Sequence, residues 1–358
     1  MPLQEFREFL HLFLCDGDEL TRVGMLLLHL APDGDRVAAI DPSCYRAELL
    51  LDFVCRPEFP PAKVEKERGI ILQELGMYRD SPGSRLSENL LRALFVRHPA
   101  RIDIGGTPAS VRAIRRTDLE ACHAAYYAPS NLCLVVVGNT SLGEVLEAAG
   151  RKVPGSRRPR PPHRLPAEPA TPARRKLSAR MDVAQPQFLL GFKDPEPAAR
   201  GLPLLRRRMA VGMALGMLLD RSAPLYQALY DDGLIDEDFS AGYAGDRGFA
   251  YAAMGGKAPH PEALRRRLLE GLSRARREGF PPGALERAKR KSLGGYLCLF
   301  DRPQSLAASL ASAHFLDIPI LDYPRLLRAF RIEEAESALV EVLDEKHHAF
   351  SVVWPKRA

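Results

Sequence analysis

The sequence predicts an α+β protein of two homologous halves, each an antiparallel sheet packed with helices. Three observations predict it. Phe59-Pro60-Pro61 recurs as Phe280-Pro281-Pro282, and Arg79-Asp80-Ser81-Pro82 is answered by Phe300-Asp301-Arg302-Pro303, both at an offset of 221 residues (281 − 60 and 303 − 82). The run 114–126 leading into 132–137 is answered by 332–343 leading into 350–353, so one duplicated unit accounts for both halves. Strands adjacent in sequence, with helices grouped between them, are the pattern of α+β units.

The elements follow from periodicity. Apolar residues at three- and four-residue spacing predict helices over 44–56, 61–79 and 85–96 in the first half, and over 204–219, 261–278, 282–299 and 332–343 in the second. Thr107 with Pro108 reads as an N-cap followed by proline at the first helical position, and Thr117 as the cap of a further helix through Tyr126. The run 132–137, ending at Gly138, reads as a buried strand. Strands are expected at 187–192 and as a hairpin, 238–243 with 249–254, turning at Gly245-Asp246-Arg247-Gly248.

Pro154, Pro159, Pro161, Pro162, Pro166, Pro169 and Pro172 stand among Arg157, Arg158, Arg160, Arg164, Arg174, Arg175 and Lys176. Proline at that density resists helix and sheet, which makes 154–173 an extended, solvated linker. The first domain is then 1–153 and the second 174–358. The linker carries much of the chain's net charge of +6. Without interleaved aromatics it reads as a connector and not as a nucleic-acid surface; a failure to retain DNA at any salt concentration would dispose of the nucleic-acid reading.

With 358 residues, 46% hydrophobic and 27% charged, the chain is long enough for two domains with cores of their own. No apolar stretch reaches membrane-spanning length, and the start, Met1-Pro2-Leu3-Gln4-Glu5, lacks the features of a secretory signal, so a cytoplasmic location with no membrane partner is expected. The six cysteines, Cys15, Cys44, Cys55, Cys122, Cys133 and Cys298, form no CxxC pair and read as reduced thiols.

Candidate chemistry is confined to the helix from Pro61. Glu67 and Glu74 are seven residues apart, so two turns bring both carboxylates to one face, which Ile70, Ile71 and Tyr78 share. At the 221-residue offset these positions are Ala288 and Gly295. A charge required by the fold alone is expected in both copies. The alternative reading is a structural one, with both carboxylates paired to Arg or Lys.

The stretches 51–59 (Leu-Asp-Phe-Val-Cys-Arg-Pro-Glu-Phe), 64–74 (Val-Glu-Lys-Glu-Arg-Gly-Ile-Ile-Leu-Gln-Glu), His98-Pro99 with Gly106-Thr107, and Tyr127-Ala128-Pro129-Ser130-Asn131-Leu132 before Val135-Val136-Val137-Gly138 together resemble the insulinase/pitrilysin family of zinc metallopeptidases. The runs 98–107 and 233–240 are most similar to its bacterial YmfH-like branch. The resemblance extends from about Asp16 to the end. It implies two similar α+β halves forming a clam-like peptide chamber. It also implies an H-x-x-E-H helix giving two zinc-binding histidines and a glutamate base, with a later glutamate as third ligand. Glu74 matches that third ligand, and Glu67 the accessory carboxylate.

The motif itself is degenerate. With Asp16-Gly17-Asp18 as anchor, the motif helix falls on Glu5-Phe6-Arg7-Glu8-Phe9, where only the central Glu8 survives. Phe9 cannot ligate zinc. No H-x-x-E-H or H-E-x-x-H occurs elsewhere, His347-His348 lack the i,i+4 spacing, and His11, His98 and His123 read as structural or exposed. The strands that precede the motif helix in the family are not recognisable, and Arg36-Val37-Ala38-Ala39-Ile40 stands where its peptide-docking strand belongs. The family's substrate-anchoring Arg and Tyr positions carry Tyr230 and Asp236.

Two readings follow. One is a catalytically degenerate homologue with vestigial Glu8, Glu67 and Glu74 and no cofactor, zinc being the metal of active relatives. It would bind peptide or unfolded polypeptide and pair as a homodimer or as a heterodimer with a zinc-bearing relative. The other is an active zinc-dependent metalloendopeptidase whose N-terminus with H-x-x-E-H is truncated in this sequence. Phe6, Phe9, Leu10 and Phe13 would give the first half an apolar face for the dimer contact.

Overall fold

In a computed structural model the described residues are 25–29, 42–155, 165–246 and 248–356. Their strands are β1 (Met25–His29), β2 (Cys133–Val137), β3 (Lys176–Met181), β4 (Gln187–Lys193), β5 (Ser240–Asp246), β6 (Phe249–Lys257) and β7 (His348–Pro355). The helices are α1 (Pro42–Cys55), α2 (Pro61–Asp80), α3 (Pro82–Leu94), α4 (Pro108–Ala113), α5 (Arg116–Tyr126), α6 (Leu142–Lys152) and α7 (Gly201–Leu219). They continue as α8 (Pro224–Asp231), α9 (Pro261–Glu278), α10 (Ala284–Leu297), α11 (Pro303–Phe315), α12 (Tyr323–Ala329) and α13 (Ile332–Glu341).

The chain forms two compact units that are not its contiguous halves. One holds Met1–Leu75, Ile104–Arg164 and Tyr296–Phe315; the other holds Gly76–Asp103, Leu165–Gly295 and Leu316–Ala358. This corrects the division into 1–153 and 174–358. Each half of the sequence gives one helix to the unit built mainly from the other. α3 belongs to the second unit and α11 to the first, and their first residues, Pro82 and Pro303, stand at the 221-residue offset (303 − 82).

In the first unit β1 and β2 pair in parallel, with α11 alongside both. The core gathers Leu51 and Val54 of α1, Val64, Ile71 and Leu75 of α2, Val111, Leu119 and Tyr127. α1 and α6 are also joined by ion pairs, Arg151 to Glu48 at 2.6 Å and Lys152 to Asp52. α4 starts as its sequence dictates: Thr107 caps the Ser110 amide at 3.1 Å, and Pro108 loses no bond at a position without an intrahelical partner. α5 begins two residues earlier than expected, with Arg115 and not Thr117 at the cap position, because Asp118 closes the cap by accepting the Arg115 amide at 2.7 Å.

The second unit is built on a five-stranded sheet of order β3-β7-β4-β6-β5. Three of its pairings are antiparallel, as expected; β3 joins β7 in parallel. One face carries α3, whose Leu90, Ala93 and Leu94 pack with Phe95, Ala100 and Ala349. Gly191 on β4 is glycine for this contact, since a Cβ there would meet Leu90 Cδ1 at 2.7 Å. The other face carries α7, α9 and α13, burying Met209, Val211, Leu215, Leu264, Leu268, Leu272, Ala335 and Leu339 against Phe188, Leu190, Phe192 and Phe350.

The segment expected as a solvated linker lies partly outside the described residues. Its described part, from Leu165 on, has no regular structure but is not solvated throughout. Glu168 accepts the backbone N–H groups of Val96, Arg97 and His98 at 2.7–2.8 Å and the Lys193 ammonium at 2.5 Å. Lys193, 2% exposed, also sits 5.1 Å from the centre of the Phe95 ring. A single carboxylate thus fastens the strap to α3's C-terminal end.

Candidate functional site

Glu67 and Glu74 project from α2, which starts where the Pro60 carbonyl accepts the amides of Lys63 and Val64 at 2.9 and 3.0 Å. Seven residues of α-helix turn about 700°, so the two carboxylates stand nearly in line. Glu67 is 2% exposed, in the same row as buried Val64, Ile71 and Leu75; Glu74 is half-buried. The expected apolar face stops there, because the core cluster ends at Leu75. Ile70 is half-buried, and Tyr78 is 51% exposed. The counterpart of Glu67 in the repeat, Ala288, is buried as well, so the fold accepts a methyl group at this place.

Glu8 lies outside the described residues, as do Glu5, Phe6, Phe9, Leu10, His11, Phe13 and 36–40. Among the described residues no three His, Cys, Asp or Glu side chains are grouped so as to hold a metal. Both candidate histidines have structural roles. His123 Nε2 hydrogen-bonds the Val54 carbonyl at 2.8 Å, and its ring stacks on Tyr127 at 5.0 Å. His98 Nδ1 accepts the Ala100 amide at 3.1 Å, capping a single turn of 3-10 helix, and its ring packs 4.6 Å from Phe249. Among the described residues no imidazole joins these two carboxylates, and two carboxylates alone do not make a zinc centre, which needs three protein ligands.

In the second unit Tyr230 stacks on Tyr226 at 6.2 Å, and Asp236 accepts the Asp238 amide at 3.1 Å in a local turn. Two features there escape sequence reasoning. Asp194, following β4, is fully buried and takes a fork of two 2.9 Å bonds from Arg207, one of 2.6 Å from the Tyr243 hydroxyl and one of 3.0 Å from the Glu196 amide. Burial pushes the Asp194 carboxyl up, but the bonds from Arg207 and Tyr243 outweigh it and hold the group below its usual range. Arg207 continues to Glu341 on α13. Glu168 and Asp194 are therefore buried carboxylates that a search for paired acids on one helix overlooks.

The second feature is the edge of the sheet. Ala250 on β6 accepts the Asp194 amide at 2.9 Å on the β4 side, so its main-chain groups face away from β5. Hydrogen-bonding direction alternates along an antiparallel pair. Opposite Ala250, Ala252 and Met254, the main-chain groups of Gly245, Tyr243 and Ala241 therefore point outward from the sheet. Among the described residues no backbone partner meets them. The same strand carries Ser240, Gly242 and Ala244, small and exposed, and has no proline, bulge or lysine to block pairing.

Among the described residues the site thus offers two aligned glutamates on one helix and, in the second unit, a five-stranded sheet whose β5 edge meets no backbone partner. Residues 113–292 match the family described as "Peptidase M16 inactive domain". The chain is 32% identical over 313 residues to the "Uncharacterized zinc protease YmfH" of Bacillus subtilis, covering 86% of this chain and 73% of the relative. A solved putative M16-like peptidase from Alicyclobacillus acidocaldarius superposes with a TM-score of 0.82 at 35% identity, over 88% of this chain and 76% of that one. The M16 inactive domain from Pseudomonas fluorescens shares the fold at 18% identity, with a TM-score of 0.73 over 87% and 74% of the two chains. The chain belongs to the M16, insulinase-like, peptidase family.

Proposed function

We propose that the chain is a catalytically degenerate member of this family that binds extended polypeptide and serves as a partner subunit. The observation that carries the proposal is the make-up of the position-matched motif, in which Glu5 and Phe9 replace the two histidines. The remaining carboxylate, Glu74, cannot hold zinc with an open coordination site for water, so the step that generates hydroxide has no metal to perform it. On this reading Glu67 and Glu74 are relics of that arrangement.

What supports peptide binding is the outer edge of β5, which no strand among the described residues covers, because its outward N–H and C=O groups are complemented by another extended backbone. What supports a partner chain is the exposure of Leu49 on α1 and of Leu142 and Leu146 on α6, two helices packed together in the first unit. The partner is a second copy or a zinc-bearing relative. Nucleic acid and membrane are not among its partners, and no helix among the described residues is long and apolar enough to cross a membrane. The test is incubation of the pure protein, with and without added zinc, with unfolded casein and a quenched fluorescent peptide. Binding without cleavage is expected; zinc-dependent cleavage contradicts the proposal.

A further inference from the structure

The outward edge of β5 ends against a guanidinium that has no counter-charge among the described residues. Arg208 on α7 donates from Nη2 to the Gly245 carbonyl at 2.7 Å, its one hydrogen bond among the described residues. Its neighbour Arg207 takes Asp194 and Glu341, while no carboxylate among the described residues pairs with Arg208. Burial pushes the Arg208 guanidinium below its usual value, and Tyr243 is the ionisable neighbour that acts against this. A guanidinium carries five N–H donors in a fork that matches a carboxylate, and a half-buried cation without an anion is costly.

We propose that β5 receives the C-terminal end of an extended polypeptide, its terminal carboxylate held between the Gly245 amide and Arg208. The proposal rests on the peptide-binding reading above and names the class of peptide. In parallel pairing, an added residue bridges outward groups two positions apart on its neighbour. A peptide residue donating to the Ala241 carbonyl therefore accepts from the Tyr243 amide. The residue two further along donates to the Tyr243 carbonyl and presents its own carbonyl oxygen to the Gly245 amide. There the ladder stops, because Arg208 already occupies the Gly245 carbonyl.

A chain that ends at that residue has a second carboxylate oxygen in the plane of the sheet, directed at the guanidinium. An antiparallel strand would instead bring its N-terminal end, and with it an ammonium group, towards Arg208. Internal Asp or Glu side chains leave a strand towards the faces of the sheet and not along its edge. The small Ser240, Gly242 and Ala244 leave room for large side chains on the incoming strand.

The probe is a nine-residue Val/Thr/Ala peptide with fluorescein at its N-terminus, made with a free C-terminal carboxylate and as the C-terminal amide, and titrated by anisotropy against the full chain. A charge-assisted fork of hydrogen bonds predicts about tenfold tighter binding of the acid. Arg208→Gln should reduce the acid to the affinity of the amide and leave the amide unchanged. Should that variant melt early, Arg208→Lys, which keeps the charge and loses the fork, should give an intermediate preference. Ala241→Pro, which removes one outward N–H at an edge where proline is tolerated, should weaken both peptides equally. Equal affinity for acid and amide in the wild type overturns the carboxylate assignment and leaves peptide binding standing. Binding of neither, or binding indifferent to Ala241→Pro, overturns the peptide-binding reading and this inference with it.

Discussion

Tyr243 donates its hydroxyl hydrogen to Asp194 across 2.6 Å, so the strand carrying the open edge is tied to a buried carboxylate at the end of β4. The same carboxylate receives the Arg207 fork. Burial and the adjacent Asp194 charge push the Tyr243 phenol far up, keeping it a donor. Tyr243→Phe deletes the bond and leaves Asp194 its other partners. A loss of about 1–3 kcal/mol is expected, read by urea denaturation, with faster hydrogen exchange concentrated in β5. An unchanged stability with unchanged exchange contradicts the anchoring role.

The strap contact should couple strongly. Glu168 is pushed up by burial but held below its usual range by the bond from Lys193 and by three backbone amides, whereas Lys193, with fewer partners, is lowered by burial despite Glu168. Glu168→Gln leaves a buried ammonium without its counter-charge and is expected to cost about 3–5 kcal/mol. The double variant Glu168→Gln/Lys193→Met should lose less than that single variant, and a double-mutant cycle measures the difference. Additive losses would show two independent groups.

Acid stability follows from the same carboxylates. Asp194 and Glu168 both have folded pKa values below their unfolded ones, so their contribution is complete above the unfolded values of about 3.9 and 4.3. It is lost as pH falls through the folded values, because the unfolded chain then binds more protons. Equilibrium unfolding between pH 6 and 2.5 should therefore show stability falling steeply below about pH 4. In Glu168→Gln the slope should be shallower there; an identical slope would remove Glu168 from the account.

The α2 carboxylates should behave as relics. Ala288, the counterpart of Glu67, is buried in the repeated unit, and Glu74 is half-buried. Glu74→Gln is expected to be neutral or mildly stabilising, within about 0.5 kcal/mol of a surface change, by thermal melting. A large loss would make Glu74 half of a structural ion pair instead.

Local chemistry made much of the fold readable. The Thr107-Pro108 start of α4 and α9 over Pro261–Glu278 lie where turn residues and apolar spacing put them, and the β5–β6 hairpin turns at Gly248 with φ 79°, although β5 runs on through Gly245 and Asp246, residues expected in the turn. β3 was hidden because its alternating Lys176-Leu177-Ser178-Ala179-Arg180-Met181 follows the proline-rich run directly. The exchange of α3 and α11 was visible only as the repeat of Pro82 in Pro303, since nothing local says which sheet an amphipathic helix will cover. Asp194 has no helical or motif spacing to its partners: Arg207 and Tyr243 lie 13 and 49 residues away. Its role emerges only when the sheet brings them together. The aligned carboxylates were legible from a seven-residue spacing, but their unequal burial depends on where the first-unit core ends.

The central claim, that this family member holds no catalytic zinc, is tested most directly by metal analysis of the purified protein after dialysis against zinc. Far less than one zinc per chain is predicted, with a melting temperature that chelator leaves unchanged. One tightly held zinc per chain, removed by chelator with a fall in melting temperature, would contradict it.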